Sequence, residues 1–252
     1  MAQPQVRFTT YLRLIVVVVV AYGLAIVGPD YLPWAGTSPL LAMITVLIGA
    51  ITLAVLLSYS LTRRQQLFEA VRLELNKIRR VYHVAKNLAA ASNEFRPWFT
   101  DLHGFVYQYL SLYGQKNWQR DQNDFNTAFR KMSYHIYTVP ELKGHKEEML
   151  YEDLLHSTGT VAEARQKIIE LFEGGFTRYA WLAMSITTAG SVMAVLMSLG
   201  PDSGNRFVGG TVLAAVLILL DIVGKVDALA AERQYLSRRY VQNIARLELK
   251  RD

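Results

Sequence analysis

The chain of 252 residues contains no cysteine. That absence excludes disulfides, thiolate metal sites and cysteine nucleophiles. No Gly-rich nucleotide loop, nucleophile motif or metal-ligand pattern is present, so no enzyme class is indicated and no cofactor is expected. The five histidines, His83, His103, His135, His145 and His156, never fall four apart, and no acidic residue completes a zinc signature among them. They read as surface or intersubunit residues. Glu147, Glu148, Glu152 and Asp153 cluster on one short stretch and read as a solvated acidic face. Positive charge is missing from Gly28–Thr37, and that gap matters below.

Four long apolar runs are present instead: Tyr11–Val27, Ser38–Leu61, Ala180–Leu199 and Phe207–Val223. About 18 or more apolar residues suffice to cross a bilayer as a helix, and in lipid the backbone must satisfy its own hydrogen bonds. The mean hydropathy of +0.15 is modest because a polar middle dilutes these runs. Gly28-Pro29-Asp30 is no small-x-small cleavage site, so the first run reads as a retained helix. The expected class is all-α and integral to the membrane, with four transmembrane helices in a 2 + 2 layout and a helical cytoplasmic domain. The expected divisions are 1–61 and 178–226 for the two hairpins, 62–177 for the cytoplasmic domain and 227–252 for a C-terminal helix.

Charge sets the expected orientation. Of 27 Lys and Arg, 16 lie from Arg63 to Lys167 and seven from Lys225 onward, with Arg7, Arg13 and Arg178 at the near ends of spans. Only Arg206 falls in a short loop on the other side. This positive-inside bias predicts cytoplasmic termini and a cytoplasmic middle segment. The formal charge of +6 is then a matter of topology and anionic lipid, not nucleic acid.

Local signals predict the helices. Gly28-Pro29-Asp30 should end the first, and Ser38-Pro39 should open the second. No Pro or Gly follows Leu61 until Pro97, so the second helix should run to about Ala91. Phe68, Val71, Leu75, Ile78, Tyr82 and Ala85 form a heptad seam along it. Trp98, Leu102, Phe105, Tyr109 and Leu112 mark another helix, which a turn at Gly114–Asn117 should end, and Phe125, Phe129, Met132 and Ile136 mark the next. Met149, Leu150, Leu154 and Leu155 mark a short one. A capping box at Thr160-Val161-Ala162-Glu163 should open a further helix leading through a Gly174-Gly175 kink into the third span. The fourth span should continue into the tail helix.

Within the second run, Thr45, Gly49, Thr52, Leu56 and Tyr59 lie beside Ile44, Ile48, Ile51 and Val55. Small and hydroxyl residues serve helix packing, and the same types line pores with apolar constrictions. In the fourth run Asp221 stands in apolar surroundings with Lys225 four residues on, a local ion pair or an ion-handling and gating group.

Leu56-Leu57-Ser58-Tyr59 followed by Arg63-Arg64-Gln65-Gln66-Leu67-Phe68-Glu69-Ala70-Val71-Arg72 is similar to the pore helix of bestrophin-like membrane proteins, a group including many bacterial members. Leu219-Leu220-Asp221 resembles the acidic end of that family's last span. The family's Pro-Phe-Gly segment has no counterpart, since Gly224-Lys225-Val226-Asp227 stands there. The resemblance implies a homo-oligomeric, pentameric ion channel of a bacterial inner membrane, contacting lipid and a permeant ion. Ile51, Thr52, Val55, Leu56 and Tyr59 would line its pore, with Ile51, Val55 and Tyr59 in the apolar neck. A non-conducting scaffold that recruits a partner shares this layout. So do flagellar-type stator subunits, which Gly209-Gly210-Thr211-Val212 faintly resembles.

Overall fold

A computed structural model describes residues 4–31, 39–115, 122–199 and 203–247. Among them the regular structure is entirely helical: α1 (Pro4–Tyr31), α2 (Pro39–Ala91), α3 (Phe95–Gln115), α4 (Gln122–Ile136), α5 (His145–Glu173), α6 (Arg178–Ser198), α7 (Ser203–Ala228) and α8 (Ala230–Arg246). Four helices, α1, α2, α6 and α7, are long and apolar enough to cross a membrane. In α2 the apolar part ends at Leu61, and the rest is amphipathic. The chain divides into two compact units, Met1–Thr62 with Gly175–Ala228, and Arg63–Gly174 with Leu229–Asp252.

In the first unit α1 packs chiefly on α7. Ala21, Ala25, Leu213 and Ala214 fill the seam with Val195, Leu196 and Leu199 of the α6 end. Without a hydrophobic drive between helices in lipid, close approach of small residues carries such packing. At Gly210 an added Cβ would overlap the Tyr22 ring, and at Gly209 the Leu199 side chain. The Tyr22 hydroxyl also shares a 2.9 Å hydrogen bond with that of Thr211.

The first helix outruns its expected end. Pro29 lies inside α1, which continues to Tyr31. Its ring removes the bond to the Ala25 carbonyl and crowds that carbonyl, and only two helical residues follow it. Arg206 meets the same turn, donating to the Ile26 carbonyl at 2.6 Å and to the Asp30 carboxylate at 2.5 and 3.2 Å. Arg206 is therefore in the first turn of α7, not in a loop. A cation there opposes the helix dipole, and Asp30 offsets it. Ser38, expected to open the second helix, lies outside the described residues.

The second unit is built on the amphipathic part of α2. Val71, Leu75, Ile78, Tyr82 and Ala85 are buried, and Phe68 is half-buried. Leu102, Val106 and Leu110 of α3, Met132 and Ile136 of α4, Leu154, Val161 and Ile168 of α5, Leu236 of α8 and Leu247 just after it join the same core. The heptad seam is thus consumed within its own chain. Trp98 and His135 tie α3 to α4 reciprocally: the indole N–H donates to the His135 carbonyl at 2.9 Å, and the imidazole donates to the Trp98 carbonyl at 2.8 Å. His135 and His103 are therefore half-buried structural residues, while His83, His145 and His156 are exposed.

Three further expectations fail. The helix with Met149 and the one expected from Thr160 are a single helix, α5. The Thr160 hydroxyl turns back to the His156 carbonyl at 3.0 Å instead of capping a new start. Gly174 does not kink a continuous helix. It caps α5, and Thr177 caps a separate α6 by accepting the Ala180 N–H at 3.2 Å. The tail helix is not a continuation of α7 either, because Leu229 breaks it with φ 49°. A left-handed leucine costs roughly 1–2 kcal/mol; burial of its side chain, only 1% exposed, offsets that. Gly114 and Gln115 of the expected turn are still helical, and its residues 116–117 lie outside the described residues.

Candidate functional site

The apolar part of α2 has two faces. One packs inward, where Leu53 is buried with Met184 of α6 and Val216 and Val223 of α7. Gly49 lets α6 come close, and a Cβ there would overlap the Ser191 hydroxyl. That hydroxyl lies 3.4 Å from the Thr45 carbonyl and donates to its own helix at the Thr187 carbonyl, 2.9 Å away. The Thr45–Gly49 part of the polar stripe is therefore a helix-packing surface.

The opposite face is open. Ile44, Ile48, Ile51, Val55 and Tyr59 are 46–62% exposed on the isolated chain. At spacings of three and four residues they share one arc. The five expected lining residues divide accordingly. Ile51, Val55 and Tyr59 are central to this arc. Thr52 and Leu56 lie at its edge and are half-buried. The Thr52 hydroxyl donates to the Ile48 carbonyl at 2.9 Å, so it presents little free polarity. Leu56 packs on the Leu53 cluster. Tyr59 stacks on Phe176, with ring centroids 5.7 Å apart and planes 29° apart.

Asp221 and Lys225 are brought together as an i, i+4 ion pair on α7. This spacing puts them on one side of the helix, where each reduces the cost of the other. Asp227, which sequence reasoning passed over, accepts the Phe176 N–H at 3.2 Å and so holds the segment that carries the Tyr59 stacking partner. Of the expected acidic cluster, Asp153 pairs with Arg80 at 3.0 Å and Glu147 accepts the Lys143 N–H at 2.7 Å. These residues serve separate local roles. Among the described residues no group of three or more His, Asp or Glu is placed to hold a metal ion.

Immediately after the apolar part, Arg63 is 5% exposed and donates to the Leu171 carbonyl at 2.7 Å and the Phe172 carbonyl at 3.4 Å. The last turn of α5 holds no basic residue of its own. Arg63 supplies the cation and the donors that a helix C-terminus favours.

Glu74 lies deeper in the second unit, fully buried. Its two carboxylate oxygens accept hydrogen bonds from the Tyr109 and Tyr240 hydroxyls. Arg165 stands over the Tyr109 and Phe129 rings, 5.5 and 5.2 Å from their centroids, and donates to Asn126 at 2.9 Å. Burial pushes the Glu74 carboxyl above the ordinary value; the two phenol bonds and the Arg165 charge pull in the other direction without cancelling it. Burial, followed by the nearby Glu74 charge, pushes the Tyr109 and Tyr240 hydroxyls well up. They remain protonated donors.

Four membrane-length helices with exposed apolar side chains, one of them with a long amphipathic extension, define a helical membrane protein. The chain belongs to the bestrophin-like family: residues 14–223 match the Bestrophin-like domain. No curated protein and no solved structure matches the chain. The stator-like echo has a local explanation, since Gly209 and Gly210 serve the packing of Leu199 and Tyr22.

Proposed function

We propose that this protein is the subunit of a homo-oligomeric ion channel, a pentamer in which the α2 helices surround a central pore. Family membership supports this reading. The observation that carries it is the open arc of Ile44, Ile48, Ile51, Val55 and Tyr59, on a helix whose other face is spent on α6 and α7. In a ring of copies these arcs converge, and Ile51, Val55 and Tyr59 form the neck. An apolar neck passes ions when wetted and closes by dewetting. Asp221 and Lys225 are then an ion-handling or gating pair near the cytoplasmic end of α7.

In this arrangement residues 1–61 and 178–226 form two membrane hairpins. Residues 62–177 and 227–252 form the cytoplasmic domain, on the side that the Lys and Arg surplus favours in a bacterial inner membrane.

Purified protein in planar bilayers is expected to carry current. Tyr59→Ala, which removes the ring from the neck, should change unit conductance severalfold. Its mass in detergent should be that of a pentamer. Absence of current across a broad range of ions, pH and calcium would contradict conduction, and a non-conducting scaffold would then remain. A current unaltered by Tyr59→Ala would reject the neck, and a monomer would rule out any shared pore.

A further inference from the structure

A groove of about 670 Å³ lies in the second unit between α2 and α8. Arg64, Arg72 and Arg79 of α2 and Arg239 and Arg246 of α8 line it, with Glu232 as the one acid. Five guanidiniums against one carboxylate leave four net positive charges in one concavity. Glu232 is already taken by Arg64, 2.7 Å away. Arg79 donates to Asn243 at 2.9 Å, and Arg239 to the Tyr235 hydroxyl at 2.9 Å. Those neutral partners orient the side chains without cancelling their charge. Arg72 and Arg246 have no ionic partner among the described residues.

Like charges gathered in a concavity repel one another and focus a positive field. A solvated face would spread them apart. Here the seven-residue spacings Arg72–Arg79 and Arg239–Arg246 keep each pair on one side of its helix. The floor between them is aromatic: Phe68 and Tyr235 meet edge to face at 5.5 Å. The volume falls within the range of small-molecule pockets, about 300–1,000 Å³. Planar guanidinium forks match phosphate oxygens two at a time, which suits them to phosphate better than lysine would be.

We propose that this groove binds a phosphate-bearing anion, with Arg72 and Arg246 as its principal ligands. The site is independent of whether the protein conducts. Its phosphate has two potential sources. Arg64 follows the apolar run of α2 by three positions, which suits a lipid headgroup. The Arg79 and Arg246 end suits a soluble diphosphate.

The test uses the full chain purified in detergent, titrated separately with inorganic pyrophosphate and with a short-chain phosphatidic acid. Saturable binding of either, weakened as salt rises, is expected. Affinity should fall about tenfold for each guanidinium removed in Arg72→Gln and Arg246→Gln, the order of one charge-assisted hydrogen bond. Both residues are exposed, so the ligand-free melting temperature should hold and thereby report an intact fold. Arg72→Glu should abolish binding. Pyrophosphate binding assigns a soluble source, and binding of phosphatidic acid alone assigns a headgroup. Failure of both probes to bind, or binding undiminished in the Arg72 and Arg246 variants, would overturn the proposal.

Discussion

Glu74→Ala is expected to lower the melting temperature of the purified protein by about 10 °C. The substitution strands two buried phenol hydroxyls, Tyr109 and Tyr240, that now donate to the carboxylate. It also removes the carboxyl that favours the neighbouring Arg165 charge and leaves a cavity. An orphaned buried polar group costs roughly 1–3 kcal/mol, and breaking a buried charged network roughly 3–5 kcal/mol. At about 2–4 °C per kcal/mol for a chain of this size, a fall near 10 °C follows. Glu74→Gln keeps an acceptor and the volume, and should cost far less.

Glu74 also predicts a pH dependence. Its folded carboxyl titrates above its unfolded one. The folded state therefore holds a proton that the unfolded state has already released. Its contribution is fully present below the unfolded value, about 4.3, and is lost as pH rises through the folded value. Melting temperature followed from acid to neutral pH should show this decline in the native protein. The decline should flatten in Glu74→Gln; an identical pH profile in the two would show that Glu74 is not its source.

Gly49→Leu is the second large effect. The first atom of any side chain at this position meets the Ser191 hydroxyl, with the Ser191 Cβ 3.3 Å and the Thr187 carbonyl 3.7 Å away. A leucine must push α2 from α6, at a cost of about 1–3 kcal/mol for overpacking. Gly49→Ala is milder, because the Ser191 hydroxyl can rotate away. Ser191→Ala should then recover much of the Gly49→Ala loss and little of the Gly49→Leu loss. Melting temperatures of these single and double variants measure the coupling directly. Strict additivity would show that the two helices do not meet there.

How far the sequence was legible varies by element. The extent of α2 could be read to about its observed end, because nothing between Leu61 and Ala91 interrupts a helix. The heptad stripe likewise marked the buried face. Pro29 misled by only a little: it removes the bond to the Ala25 carbonyl, and the helix stops two residues later rather than at the proline itself. Leu229 carried no signal, since a branched side chain in the left-handed region is held there by burial that only the assembled core supplies. The Thr160 capping box failed because a serviceable start signal also fits inside a longer helix.

Within the candidate site, the residue types of the α2 face were legible, but their division was not. Gly49 and Thr45 turn to α6, whereas Ile51, Val55 and Tyr59 stay open, and only the packing partners decide that. Glu74 did leave a trace. It stands three residues after Val71 and four before Ile78, on the apolar stripe, where a charge demands partners. The paired seven-residue arginine spacings of the basic groove were a comparable trace.

The absence of cysteine makes the decisive measurement clean, since each introduced thiol reports alone. Single variants Ile51→Cys, Val55→Cys and Tyr59→Cys would be treated, in the membrane, with a charged water-soluble thiol reagent. Val19→Cys and Ile186→Cys, at 64% and 63% exposed apolar positions of α1 and α6, serve as lipid-facing references. A water-filled pore lined by α2 predicts modification of the first three with loss of current, and protection of the last two. Equal protection at all five positions would place the α2 face in lipid and contradict the channel.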